Sequence, residues 1–164
     1  MKVLILYNEK LLHKILKRTV TENEACFEVR IGSYVADVRL ENEIVEIQTG
    51  GFYPLLEKLK YFLAHTEDRI TVIYPIDGEL TLIRVDPETG EVLRRKRSPK
   101  KGMPRDVVSE LFYLRQIFPN PRLRVLIASV RGEEYRYSER IRGRKKGAYD
   151  AQYFPLSLMG VTSV

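Results

Sequence analysis

Two acidic residues on neighbouring predicted strands are the residues of this sequence best suited to hold a metal ion. Asp37 lies in the segment 35–40 and Glu46 in the segment 45–48, and apolar and polar residues alternate in both, which is typical of half-buried strands. Mg²⁺ binds a few hard oxygen ligands and keeps its remaining waters, so two carboxylates and a substrate phosphate suffice. In phosphodiester hydrolysis such an ion activates water and neutralises charge in the transition state. Asp37 and Glu46 are therefore candidate ligands for Mg²⁺ or Mn²⁺.

The turn between the two strands determines whether these acids meet. If residues 41–42 form a two-residue turn, Asp37 lies directly across from Glu46, and the apolar residues of both strands share the opposite face. Two opposed carboxylates repel each other unless a positive group lies between them. A divalent cation is one candidate for that group. Arg39 is another, and the hairpin would then carry ordinary surface acids.

The spacing of these residues resembles that of a known family. Asp37, eight intervening residues, then Glu46 and Gln48 two positions on, are similar to the signature of the PD-(D/E)XK nuclease superfamily, which has the restriction-endonuclease-like fold. Some members of that superfamily carry glutamine at the last position, as this chain does. The segments 74–76 and 97–102 also resemble an uncharacterised bacterial nuclease-like group.

The resemblance implies a hydrolytic role for the residues that carry it. Asp37 and Glu46 would bind the metal, and Gln48 takes the place of the lysine that orients and activates the attacking water in the family. A neutral amide can hold a water but cannot act as a base, so Lys58 on the next predicted helix is a candidate substitute, unless it extends into solvent. Glu9 resembles the acidic residue that many members place on their first helix, although a glutamate there also suits the helix dipole.

The elements that must position these residues alternate between helices and strands. Apolar spacing predicts a helix over about 9–20 capped by Asn8, strands over 27–31, 35–40 and 45–48, a helix from Pro54 through His65, and a strand over 70–76. Residues 1–7 are left open between an edge strand and an ordered lead-in. The segment 70–76 is apolar on both faces, which predicts a central strand covered by helices. The order helix, three strands, helix, strand is that of the nuclease superfamily core.

The remaining sequence predicts an extension of the same domain. It comprises a hairpin over 80–96 with its turn at 86–90, a helix over about 105–118, a strand over 124–130 with 133–138 as its candidate continuation, and a basic tail. No repeat or linker divides the chain, so we expect one domain over 1–164, with a core over about 8–77 that the resemblance covers well and an extension over 78–164. The expected fold class is α/β, with a mixed central sheet flanked by helices, and restriction-endonuclease-like.

Positive charge is concentrated in two segments. The net charge is +6, residues 94–105 hold seven cations and no acid, and a second basic cluster lies at 140–146. Such clusters favour a polyanion such as nucleic acid, although solvated loops or an acidic protein partner would also fit. The residues expected to contact nucleic acid are Arg94, Arg95, Lys96, Arg97, Lys100, Lys101, Arg144, Lys145 and Lys146.

Together these features predict metal-dependent hydrolysis of nucleic-acid phosphodiester bonds, with DNA as the expected substrate. The alternative is a catalytically inactive nuclease fold that binds nucleic acid, because Gln48 replaces the lysine. Cys26 is the only cysteine, so no intramolecular disulfide can form and a cytoplasmic location is expected. No stretch approaches the ~20 apolar residues that span a membrane, so we expect no membrane partner. The sequence leaves the oligomeric state open, a homodimer included.

Overall fold

The computed structural model describes residues 2–137 and 151–164, and it describes the side chains from residue 11 onward. The helices and strands are, in chain order, α1 Lys2–Val20, β1 Phe27–Ile31, β2 Tyr34–Arg39, β3 Glu43–Ile47, α2 Leu56–His65, β4 Arg69–Val85, β5 Val92–Arg97, α3 Val108–Leu111, β6 Leu123–Tyr137 and β7 Ala151–Ser163. The predicted α/β class is confirmed.

Seven strands form one mixed sheet in the order β1-β2-β3-β4-β6-β7, and β5 pairs with β4 outside this row. The strands β1, β2 and β3 are antiparallel neighbours, whereas β3 and β4 are parallel. Parallel neighbours need a crossover connection, and α2 lies in the connection from β3 to β4. The predicted mixed central sheet is therefore present. Its strand β3, which carries Glu46, is one of the two parallel neighbours.

The helix α2 packs one apolar face into the hydrophobic core. Its residues Leu56, Leu59 and Phe62 are buried and belong to the hydrophobic core together with Ile44 of β3 and Ile70 of β4. Fully burying side chains of this size stabilises a fold by about 1.5–3 kcal/mol each. The periodicity that predicted α2 therefore identifies the face that packs on the sheet.

The chain divides into two compact units. The first comprises Met1–Leu12, Asp77–Gly102 and Ser129–Met159, and the second comprises His13–Ile76, Met103–Ala128 and Gly160–Val164. The residues of the hydrophobic core described above all belong to the second unit. The candidate acids Asp37 and Glu46 also lie in the second unit, whereas the basic strand β5 lies in the first.

The start of the first helix differs from the prediction. The helix α1 begins at Lys2, so Asn8 lies inside it rather than capping it, and residues 2–7 form neither a strand nor a lead-in. No glycine or proline occurs before Gly32, so nothing in this segment prevents an upstream extension of the helix. Glu9 lies in the middle of the helical backbone and cannot be a first-turn glutamate.

The helix predicted over about 105–118 is also wrong in its extent. Only Val108–Leu111 is α-helical, between 3-10 turns at Pro104–Val107 and Phe112–Leu114. Asp106 accepts the backbone N–H of Met103 at 2.8 Å, which stabilises the first of these turns. Apolar spacing near three residues fits consecutive 3-10 and α turns as well as one continuous α-helix.

The strands β4 and β7 differ from the prediction, whereas β6 includes the continuation that the sequence offered. Segments 70–76 and 80–85 are parts of the single strand β4, and β6 is continuous through Gly132 to Tyr137. The C-terminal residues form β7, where the sequence predicted no element. The N–H of Val164 donates to the carbonyl of Val125 at 3.0 Å, so pairing with a distant strand orders this segment.

Candidate active site

The β2–β3 hairpin has the predicted register. The N–H of Leu40 donates to the carbonyl of Glu43 at 2.8 Å, which closes the two-residue turn, and Val38 pairs with Val45. The backbone pairing between the strands comprises this pair and the next one towards the turn. Asp37 is therefore the first residue beyond the paired segment.

Beyond that segment, the two carboxylates bridge the strands. The N–H of Asp37 donates to Glu46 Oε1 at 3.2 Å, and the N–H of Ile47 donates to Asp37 Oδ2 at 2.8 Å. Each acid thus accepts a hydrogen bond from the backbone of the opposite strand, which fixes both side chains beside each other. The side chains are 18% exposed for Asp37 and 3% exposed for Glu46. The sequence predicts that Asp37, Glu46 and Gln48 converge on one point. This is confirmed for the two acids, whereas the side chain of Gln48 bonds to Gly51 instead.

The other oxygens of the two acids face lysines from two helices. Lys58 of α2 donates to Glu46 Oε2 at 2.5 Å. Lys17 of α1 lies 3.7 Å from Asp37 Oδ1 and also forms an ion pair with Glu28. The site is therefore a cluster of alternating charges in which each of the paired acids has one lysine neighbour.

Burial strongly affects the protonation of Glu46. The pKa of Glu46 is raised from the ordinary value of 4.5 to about 7. The largest cause is the removal of the carboxyl group from water, and the second is the negative charge of Asp37. Lys58 and the N–H of Asp37 act in the opposite direction, because they favour the ionised form. Glu46 consequently exchanges its proton near neutral pH, where an ordinary surface glutamate is fully ionised.

Gln48 is held by its own loop. Its backbone N–H donates to the carbonyl of Ile73 at 2.9 Å, and its side-chain Nε2 donates to the carbonyl of Gly51 at 2.7 Å. The side chain that contacts Glu46 is Lys58, so the cation comes from the following helix. It does not come from Gln48, which stands where the PD-(D/E)XK signature has lysine. The sequence offered Lys58 only as one of two alternatives, because helix periodicity does not specify where a long flexible side chain ends.

Glu28 extends the row of acids to a third strand. The pairing of Phe27 with Val38 and of Val29 with Ala36 places Glu28 across from Asp37 on β1. Glu28 has a φ of 53°, a left-handed conformation that costs energy for a residue with a side chain. No sequence pattern indicates such a backbone angle, so this residue was missed.

Arg39 does not lie between the paired acids. It forms an ion pair with Asp68 at 3.2 Å, so the alternative in which Arg39 neutralises the two acids is wrong. The charges that compensate Asp37 and Glu46 are those of Lys17 and Lys58.

The predicted basic residues of the first unit lie on an exposed surface. Arg95 pairs with Glu133 at 3.2 Å, and Arg97 lies 3.9 Å from Glu79. The exposed basic residues in this segment are Arg94, Arg95, Lys96, Arg97, Lys100 and Lys101. Arg144, Lys145 and Lys146 lie outside the described residues, as does the side chain of Glu9.

The pairing of β4 with β5 places Arg84 directly opposite Arg94. Both are exposed, and Lys96 follows two positions along on the same face. Like charges directly opposite on neighbouring strands destabilise the pairing. The repulsion between Arg84 and Arg94 is therefore a cost that this exposed face of the hairpin carries.

Two absences hold for the part of the chain that the structure describes. No group of three or more histidine, cysteine, aspartate or glutamate side chains is arranged to hold a metal ion. A metal at this site would therefore have two protein carboxylates rather than a complete protein cage. Within the same residues, no helix has both the length and the apolar composition needed to cross a membrane.

Comparison with known proteins identifies the family. Residues 10–161 match the model of the family described as Domain of unknown function (DUF8091). The chain belongs to this family. A protein of Treponema pallidum (strain Nichols), described as "Uncharacterized protein", is 29% identical over 136 residues, which are 82% of this chain and 53% of the relative. The chain thus spans about half the length of that relative. No solved structure matches the chain.

The DUF8091 match includes the paired acids and both of their lysine neighbours. Lys17, Asp37, Glu46 and Lys58 all lie within residues 10–161, whereas Glu9 lies just outside. The charge cluster is thus part of the region that defines the family.

Proposed function

We propose that this protein is a metal-dependent nuclease that hydrolyses phosphodiester bonds of nucleic acid, with DNA as the substrate and Asp37 and Glu46 as the metal ligands. The observation that carries the proposal is the mutual bridging of these two carboxylates at the open end of the hairpin. A cytoplasmic location is part of the same proposal.

The sheet supports a resemblance to the PD-(D/E)XK superfamily. The chain passes through one helix, three antiparallel strands, a crossover helix and a strand parallel to the third. Asp37 and Glu46 occupy the second and third of these strands, as the family signature requires. The restriction-endonuclease-like fold remains part of the proposal.

The donor atoms suit a hard divalent cation. Backbone N–H groups donate to Asp37 Oδ2 and Glu46 Oε1, and the other two oxygens, Oδ1 and Oε2, face the ammonium groups of Lys17 and Lys58. Asp37 and Glu46 would hold Mg²⁺ or Mn²⁺, with water and substrate phosphate as the other ligands. When bound, the ion would lower the pKa of a coordinated water and neutralise phosphoryl charge.

The protein's own groups have distinct roles in this proposal. Lys58 orients the attacking water or neutralises the phosphate. In the PD-(D/E)XK superfamily this role belongs to the lysine that Gln48 replaces in this chain. Glu46 must be ionised to bind a cation, and its pKa of about 7 places that ionisation near neutral pH. Lys17 holds Asp37 in position from α1. Gln48 stabilises the loop after β3.

The basic face of the β4–β5 hairpin provides the electrostatic attraction. Arg84, Arg94 and Lys96 share one exposed face, and contacts between such residues and phosphates release counterions from the nucleic acid. These contacts do not depend on base identity. Binding is therefore expected to weaken steeply with salt and to show little sequence preference.

One observation favours a second function, binding without cleavage. The amide of Gln48 is committed to Gly51, and Lys58 already forms a tight ion pair with Glu46. If that ion pair persists in the presence of metal, the acids are neutralised internally and no hydrolytic centre forms. The protein would then be a nucleic-acid-binding module.

Cleavage assays distinguish the two functions. Wild-type protein is incubated with labelled duplex, single-stranded and branched DNA in Mg²⁺, in Mn²⁺ and in EDTA, beside Glu46→Gln and Asp37→Asn. A nuclease cleaves only with metal, and both variants lose cleavage but keep binding. Glu57→Gln, an exposed acid on α2 outside the pair, is the matched control and should cleave like the wild type. Binding without any metal-dependent cleavage by the wild type would establish the second function.

A further inference from the structure

Three aromatic side chains of the second unit form an exposed cluster. Tyr53 is 72% exposed, Phe112 62% and Tyr113 42%. The ring centroids are 6.0 Å apart for Tyr53 and Tyr113 and 6.3 Å apart for Phe112 and Tyr113, with near-perpendicular planes. Rings of this size contribute most to stability when buried, so the fold does not benefit fully from their apolar area.

The cluster is held in place by contacts beneath it. Tyr53 begins the 3-10 turn Tyr53–Leu55, and Phe112 begins a second turn after α3. The N–H of Phe52 donates to Glu110 Oε2 at 2.8 Å, which ties the two turns together. A Cβ at Gly51 would lie 3.3 Å from the same carboxylate, so the chains are close there. The rings therefore project from a fixed base.

One arginine lies directly against the rings of the cluster. The guanidinium of Arg115 lies 4.2 Å from the centroid of Phe112, an arrangement that places a cation on an aromatic face. The acids of the segment already accept backbone N–H groups: Asp106 from Met103, and Glu110 from Phe52. Arg115 also donates to the carbonyl of Phe112 at 3.1 Å, so its guanidinium is held beside the aromatic rings.

We propose that Tyr53, Phe112 and Tyr113, with Arg115, form a stacking surface for the bases of single-stranded nucleic acid. The proposal rests on the proposed function in taking nucleic acid as the ligand, and it specifies the substrate as one with unpaired bases. Aromatic rings stack on any base, and an arginine adds cation–π and phosphate contacts. A duplex does not fit, because its base faces are stacked inside the helix.

The surface is connected to the candidate active site through a short segment. Tyr53 follows Glu46 by seven residues, so the two Cα atoms are at most roughly 25 Å apart. Within that segment Gln48 bonds to Gly51, which restrains the loop. A single strand bound on the rings thus lies within a few nucleotides of Asp37 and Glu46. Gln48 acts in this scheme as a residue that positions the loop.

The test measures binding of labelled single-stranded and duplex oligonucleotides in EDTA, where no cleavage occurs. We expect the wild type to bind the single strand more tightly than a duplex of equal length. Tyr53→Ala and Phe112→Ala should each weaken single-strand binding by roughly 5- to 150-fold. Val108→Ala, an exposed apolar residue of α3 at 62% exposure, is the matched control and should bind like the wild type.

A fluorescent reporter tests stacking directly. The chain contains no tryptophan, so Tyr53→Trp introduces a single indole on the surface, and bound single strands should quench its emission by contact. Equal binding by the alanine variants and wild type, a preference for duplex, or an unquenched indole in the bound state would overturn the proposal. Because these readouts need no metal, a lack of metal-dependent cleavage would refute the nuclease function and leave the stacking result unaffected.

Discussion

Replacing Glu46 with glutamine should remove a pH-dependent loss of stability. The folded chain holds the pKa of Glu46 at about 7, whereas its ordinary value is 4.5. The folded state therefore binds more protons than the unfolded state between these values, and the free energy of unfolding falls as pH rises. This contribution to stability is fully present below pH 4.5 and is lost as pH rises through 7.

The expected size follows from the two pKa values. Each pKa unit corresponds to about 1.4 kcal/mol, so ionising Glu46 in the folded protein lowers the free energy of unfolding by roughly 3 kcal/mol in total. The Glu46→Gln variant has no ionisable group at position 46, so its free energy of unfolding should not show this decrease. Lys58 loses its partner in the variant at every pH in this range, so that cost is a constant offset and does not alter the slope.

Urea unfolding between about pH 4.5 and pH 8 measures the effect. The difference in unfolding free energy between wild type and Glu46→Gln should change by roughly 3 kcal/mol across this range, since other titrating groups cancel in the comparison. Glu57→Gln, an exposed acid, provides a control for the loss of one carboxylate. A difference that stays constant with pH would refute the burial and the interaction with Asp37 on which the site is built.

Three further predictions address the site and the fold. At metal concentrations below saturation, metal-dependent cleavage should increase with pH through about 7, because protonation of Glu46 competes with metal binding. A rate that is flat from pH 5.5 to 8.5 under these conditions would contradict this. Lys58→Met should raise the pKa of Glu46 and move the stability loss to higher pH, and an unshifted urea profile would argue against the ion pair. Gly32→Ala should lower the melting temperature more than Gly90→Ala: both glycines have positive φ, but a Cβ at position 32 would collide with Tyr61, whereas the space at position 90 is open. Equal melting temperatures would contradict that difference.

The positions of the paired acids could be predicted from the sequence because two local signals agreed. Strand alternation and a two-residue turn leave one register that buries both apolar faces, and that register places Asp37 opposite Glu46. The structure confirms it through the pairing of Val38 with Val45. Similarly, the helix that becomes α2 was predictable, since its buried face has a clear helical period.

The charges that compensate the acids could not be predicted in the same way. Lys17 and Lys58 reach the site from helices that are distant in sequence, and Arg39, although adjacent, pairs with Asp68. Which cation meets which carboxylate depends on tertiary packing and side-chain rotamers, neither of which has a sequence period. The left-handed backbone of Glu28 and the pairing that orders β7 are likewise set by tertiary contacts.

A titration of the protein with Mn²⁺, monitored by the electron paramagnetic resonance signal of the free ion, tests most directly whether Asp37 and Glu46 hold a metal. The account predicts stoichiometric binding above pH 7, competition by Mg²⁺, and loss of binding in the double variant Asp37→Asn/Glu46→Gln. Binding by the double variant with wild-type affinity, or no binding by the wild type, would contradict it.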